Sequence, residues 1–236
     1  MPAKQNNIIE HLESLRSVLI KSLVALAIGI VPMYFVAPYI MDTLINVMMQ
    51  DSVTNLNFFS PLEVFILQIK TALLLDILIC FPYIVKQVWM FVLPALYDNE
   101  RKFIKSMVLS SSCLFITGVL FCLFLILPLV ISFGMSFATD NIKALLGIGN
   151  VLSLAMWLSL IFGIMFQFPL VTYSLIRSHI ISYENMKKKR VYVFVGILIM
   201  SGLLTPPDII SQLMLSIPTY ALFEAGIFCA KRSKKQ

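Results

Sequence analysis

An all-α, polytopic membrane protein with six transmembrane helices is the fold class that the sequence predicts. Three observations carry it. Of 236 residues, 59% are hydrophobic and only 13% are charged, with a mean hydropathy of +0.92, against roughly 45–50% apolar and about 25% charged in soluble globular chains. Apolar blocks fall at 18–40, 64–85, 104–131, 151–176, 191–204 and 209–229, and about 20 such residues cross the hydrocarbon core. All but Lys70 and Lys143 of the 18 Lys and Arg residues lie before or within the first turn of the first block, after the last, or in the connections between the second and third and the fourth and fifth, Lys105 at the edge of the third. Positive charge collects on the cytoplasmic side, so both termini are expected there. We read the whole chain, 1–236, as one integral membrane domain.

The N-terminal NNIIEHLESLRSVLIKSL spaces Ile8, Leu12, Leu15 and Leu19 as on one helix face, predicting an interfacial amphipathic helix that runs into the first span. Its Glu10 and Glu13, and the span-length apolar segment that follows, do not fit a cleavable signal. An outer loop is expected from about 41 to 62, ending in a helix start at Ser60-Pro61-Leu62-Glu63. There Ser60 is the N-cap, Pro61 occupies the first turn, and Glu63 is the expected capping-box partner. Span two carries Lys70 and Asp76, about 120° apart on a helix and so not an intrahelical pair. Ionisable groups in a span are expensive, which makes both functional candidates.

Pro128 is expected to kink or end span three. In span four, Gln167 lies deep in FGIMFQFPLV, and Pro169 leaves the Met165 carbonyl without its usual donor, so a local polar pocket is expected. Ser182 and Glu184 predict the start of a short helix before the basic run 187–190. Thr205-Pro206-Pro207-Asp208 reads as another helix start. The fifth apolar block, 191–204, is short for a bilayer, and the sixth is expected to be short too, interrupted at Pro218, predicting local thinning beside both. Cys80, Cys113, Cys122 and Cys229 form no CxxC pair, so neither a disulfide framework nor a metal site is expected, and no cofactor or nucleic-acid partner is implied.

The least generic stretch is 86–105, KQVWMFVLPALYDNERKFIK. It places Trp89, Phe91, Pro94, Tyr97, Glu100 and Arg101 in a segment that charge counting makes cytoplasmic. Aromatics and a carboxylate there suit the working surface of the protein.

HLESLR, SPLEVF, QVWMFVLPALYDNERK, FQFP, KKKRVYV, LLTPPDIISQ and IPTYALFE together resemble, in order and spacing, the TatC family of the twin-arginine protein translocase. The resemblance covers nearly the whole chain. It implies a concave, cup-like six-span bundle in the bacterial cytoplasmic (inner) membrane that is not an enzyme. Such a protein receives twin-arginine signal peptides of folded cargo and works in an oligomeric complex with TatA- and TatB-type single-span subunits, driven by the proton-motive force.

Carried onto matching positions, the signal-peptide surface comprises Glu13, Ser14 and Arg16 with Phe91, Leu96 and Glu100. Membrane-embedded or partner contacts fall on Gln167, Asp208, Gln212 and Glu224, which Lys70 joins as a charge inside a span. The chain departs from the family pattern at Ser14, where the family has glutamate, and at Gln167, where it often has one. The frequent outer-loop proline has no clear counterpart in 41–53. Carboxylates suit the implied ligand, because they satisfy paired guanidinium forks bidentately and lysine cannot copy that geometry.

The competing class is a secondary transporter or channel for a small solute, motivated by Lys70, Asp76 and Gln167 within spans and by proline-broken helices. No repeat of spans one to three is visible in spans four to six. An intramembrane enzyme finds no nucleophile paired with a base.

Overall fold

A computed structural model describes residues 2–49, 60–92, 101–136, 147–177, 180–204 and 209–233, nearly all of them helical. The elements are α1 (Pro2–Met49), α2 (Pro61–Val92), α3 (Arg101–Phe121), a π-helical turn (Cys122–Ile126), α4 (Leu127–Met135), α5 (Ile148–Met165), α6 (Phe168–Arg177), α7 (Tyr183–Lys188), α8 (Arg190–Leu204) and α9 (Ile209–Ser233). Five apolar helical runs are long enough to cross a membrane, and α8 is a shorter sixth. The six expected spans are thus α1, α2, α3 with α4, α5 with α6, α8 and α9.

α1 is one continuous helix of 48 residues, about 72 Å long at 1.5 Å per residue. The interfacial segment therefore runs into the first span without a break in the helix. The expected outer loop starts too early, because 41–49 contains no Gly or Pro to stop the helix. Similarly, α2 runs on to Val92 and α3 begins at Arg101, so much of the 86–105 stretch is helical rather than loop.

Pro128 acts one turn earlier than a simple kink. Without a proline N–H to return to the preceding turn, the helix widens, and the Leu127 N–H donates five residues back to the Cys122 carbonyl. At the Gln167–Pro169 segment, α5 ends at Met165 and α6 begins at Phe168. The interruption is bridged by the Gln167 N–H donating to Ile164 O at 2.9 Å and by Gln167 O accepting from Val171 N at 3.0 Å.

The α5–α6 span is the centre of the molecule: 61% of its most apolar window is buried, against none of the corresponding window of α1. Leu158, Ile161, Phe162 and Met165 pack with Cys122 and Ile126 from the π-helical turn and Leu215 from α9. Nearby, the Phe81 and Phe115 rings of α2 and α3 stack with centroids 3.7 Å apart. Leu12, Leu23, Ile28 and Phe35 of α1 stay exposed, as suits a helix covered by lipid chains rather than by protein.

Local start signals behave as the sequence predicts at Ser182, whose hydroxyl accepts from the Asn185 N–H at 3.2 Å. Ser60 Oγ accepts from Leu62 N at 3.3 Å, capping α2. Glu63 has a partner that local spacing does not indicate. Its Oε1 reaches across to accept the Gly149 N–H at 2.9 Å, tying the start of α2 to the start of α5. A Cβ on Gly149 would collide with that carboxylate, so glycine leaves the space in which Glu63 makes this contact. Thr205 to Asp208 lie outside the described residues.

Candidate functional site

α1 and α2 pack antiparallel along a stripe of small residues. Tyr34 O accepts from Gln68 Nε2 at 3.3 Å, Gly29 backs onto Asp76, and Ala25 O lies 3.8 Å from Cys80 Sγ. Each step forward along α2 thus corresponds to about one step back along α1. The same register, continued, sets Arg16 level with Trp89 and Ser14 level with Phe91. Two segments distant in sequence are thereby brought to one end of the molecule. Glu13, Ser14 and Arg16 are all exposed and Phe91 is half-buried, so this end offers charge, hydroxyl and ring together. Leu96, Glu100 and Asp208 lie outside the described residues.

Beneath this end lies a polar chain that the sequence reading missed. The Trp89 indole Nε1 donates to Ser111 Oγ at 3.0 Å, and the carbonyl of the same serine accepts from Gln167 Nε2 at 3.1 Å. Gln167 Nε2 also lies 3.4 Å from Gly163 O. Trp89 and Ser111 are buried, and Trp89 packs on Met107 with Val85 and Leu170 around them. The amide of Gln167 is thus a helix-packing donor that joins the break in span four to α3, and through Ser111 to the Trp89 end of α2. The run Ser110-Ser111-Ser112 inside an apolar span was the available signal, because buried hydroxyls in lipid require partners.

The other membrane-embedded candidates are also tied within the chain. Glu224 Oε2 is 2.7 Å from Arg190 Nη2, and its Oε1 accepts from the Tyr220 hydroxyl at 3.0 Å, joining α8 to α9. Gln212 Nε2 donates to Leu198 O at 2.9 Å across the same pair of helices. Lys70 Nζ donates to Ser153 Oγ at 3.0 Å, linking α2 to α5. Asp76 is fully buried and accepts from Cys80 Sγ at 3.2 Å, one turn on. Its Oδ2 has no hydrogen-bond partner among the described residues. Lys70 and Asp76 make separate contacts, as their angular separation predicts.

A bundle of this kind, with a central broken span and polar ties between helices, defines a multi-span membrane protein. The family model described as Sec-independent protein translocase protein (TatC) matches residues 10–218. The chain belongs to the TatC family.

A Sec-independent protein translocase protein TatC of Carboxydothermus hydrogenoformans is 35% identical over 232 residues, covering 98% of this chain and 95% of that one. The TatC of Escherichia coli strain K12 is 38% identical over 174 residues, 74% of this chain and 65% of that protein. In three dimensions, a crystal structure described as the twin-arginine translocase receptor TatC in DDM superposes with a TM-score of 0.84 at 30% identity, covering 93% of this chain and 99% of that one. These relationships favour protein translocation over the small-solute transporter.

Proposed function

We propose that this chain is the receptor for twin-arginine signal peptides and the core subunit of a translocase that exports folded proteins. The observation that carries the reading is the α1–α2 register, which sets Ser14 and Arg16 level with Phe91 and Trp89 at one end of a TatC-family fold. Glu13 and Glu100 supply carboxylates for the two guanidiniums, and Phe91 and Leu96 supply apolar contact beside them. The signal peptide's apolar segment then lies along the membrane-embedded face near Gln167. Lys70, Asp208, Gln212 and Glu224 mark the polar positions at which single-span TatA- and TatB-type subunits meet the bundle. The complex sits in the bacterial cytoplasmic membrane, draws on the proton-motive force and carries out no covalent chemistry. Its membrane-embedded part is the single domain 1–236, with both termini cytoplasmic.

The test is site-specific photo-crosslinking of a twin-arginine signal peptide to probes at Phe91 and at Glu100. Crosslinks at both sites are expected, and Glu100→Lys should abolish them while the protein still inserts. Equal crosslinking by a twin-lysine peptide overturns the receptor reading. Glu13→Ala and Ser14→Glu divide the arginine recognition further: if neither changes binding, the N-terminal segment does not read arginine in this chain.

A further inference from the structure

A groove of about 380 Å³ opens between α2 and α5, with Lys70 and Ser153 at one end and Ile77 and Leu160 at the other, walled by Leu73 and Trp157. Both helices run in the same direction here, and seven residues of each separate the polar end from the apolar end, about 10 Å at 1.5 Å per residue. Past Lys70 and Ser153 its walls are apolar, and a slot of that length suits one extended acyl chain.

The depth of the groove in the membrane follows from α2. Its apolar part runs from Leu62 to Phe91, which centres the hydrocarbon core near Asp76 and Ile77. Lys70 then lies about 10 Å from the midplane, within reach of a boundary at about 15 Å through its flexible stem. The groove thus begins at headgroup level and ends near the middle of the bilayer, spanning one leaflet. That leaflet is the one remote from the basic helix ends at Lys86, Arg177 and Arg190.

Lys70 Nζ makes its hydrogen bond to Ser153 Oγ, and among the described residues no carboxylate lies within ion-pair distance of it. An ammonium carries three donors, so two remain for an anion, and the serine hydroxyl can add a third donor to the same anion. A cation at headgroup depth above an apolar slot matches a phosphate ester that carries an acyl chain.

We propose that this groove binds an anionic phospholipid of that leaflet, its phosphate held by Lys70 and Ser153 and one acyl chain lying along Leu73, Ile77, Trp157 and Leu160. Such a lipid would cover the open seam between α2 and α5, the helices that Glu63 and Gly149 already join at their starts. The site uses none of the residues assigned to arginine recognition, but it shares Lys70 with the proposed single-span subunit contacts, so at that position a bound lipid and such a subunit would exclude each other.

The test is native mass spectrometry of the full chain in detergent, titrated with phosphatidylglycerol or phosphatidylcholine, combined with a phosphatidylglycerol carrying a diazirine in its acyl chain. Wild type and Lys70→Arg should retain phosphatidylglycerol better than phosphatidylcholine. Lys70→Gln should lose about fivefold in phosphatidylglycerol retention and less in phosphatidylcholine, whose choline offsets the charge of its phosphate, and in wild type the photolabel should fall on the segment around Trp157. Equal phosphatidylglycerol retention by wild type and Lys70→Gln overturns the proposal. So does labelling elsewhere, or labelling of Trp157 by a signal peptide and not by the lipid probe.

Discussion

Gly29 of α1 lies so close to Asp76 of α2 that a Cβ on the glycine would occupy the place of the aspartate's Oδ1. This contact lets α1 cover a fully buried acid at the level of the bilayer centre, where an uncovered carboxyl group is costly. Gly29→Ala must push Asp76 or the helix aside. We expect a loss of about 1–3 kcal/mol, the usual range for overpacking, read as a lower melting temperature in detergent. Gly134→Ala and Gly196→Ala, where a Cβ meets nothing within 4 Å, should leave it unchanged or raised. Combining Gly29→Ala with Asp76→Ala should recover much of the loss, because the two substitutions share one contact.

Ser111 serves two partners through different atoms, so substitutions there can be separated. Ser111→Ala removes the acceptor of the Trp89 indole but keeps the carbonyl that Gln167 uses. It should cost about 1–3 kcal/mol, the penalty of a buried donor left unmade. Trp89→Phe added to Ser111→Ala should cost less than the sum of the two single changes. Gln167→Glu should destabilise more than Gln167→Met, since an ionised carboxylate would face two carbonyl oxygens with nothing to donate. Thermal unfolding of the purified variants measures all of these.

The Arg190–Glu224 pair has side chains 35% and 31% exposed, so solvent and headgroups screen it. A double-mutant cycle should give a coupling of about 0.2–1 kcal/mol. Arg190→Ala and Glu224→Ala each loosen the contact of α8 with α9. The exchange Arg190→Glu with Glu224→Arg should restore most of the wild-type melting temperature, and a double variant no better than the singles would show that the pair does not hold α8 to α9.

α8 has 15 residues, about 22 Å at 1.5 Å per residue, against a hydrocarbon core of about 30 Å. α9, against expectation, runs unbroken through Pro218 for 25 residues, so the bilayer should be thinned beside α8 alone. Electron-microscopy density of the protein in lipid nanodiscs measures this directly. Uniform thickness around the perimeter would sink the expectation.

Features that depend on neighbours in sequence were legible before the structure. The Ser182 cap, the break before Pro169 and the disturbance ahead of Pro128 each follow from one residue acting on the adjacent turn. Span number was equally legible, because length and hydropathy decide it locally. Span ends were less so: α1 and α2 extend through polar and aromatic residues that contain no helix stop, and hydropathy marks where lipid ends rather than where a helix does.

Glu63 shows the limit most clearly. Its sequence context indicates a capping partner for Ser60, and nothing in that context indicates that its carboxylate accepts the Gly149 N–H on another helix. Local spacing lists what a side chain can reach, and tertiary packing supplies competitors that spacing does not contain.

The sequence by itself determined a six-span helical membrane protein, the clustering of its positive charge at alternate connections and the motifs of its family, all properties of single segments. Only the tertiary structure decided that Ala25 lies against Cys80, that Gln167 reaches Trp89 through Ser111, that Glu224 pairs with Arg190, and that Gly29 shelters Asp76. The reason is geometric. Each pairing depends on the rotation and axial register of two helices, and these emerge from the close packing of small residues along the whole interface, which no single segment encodes.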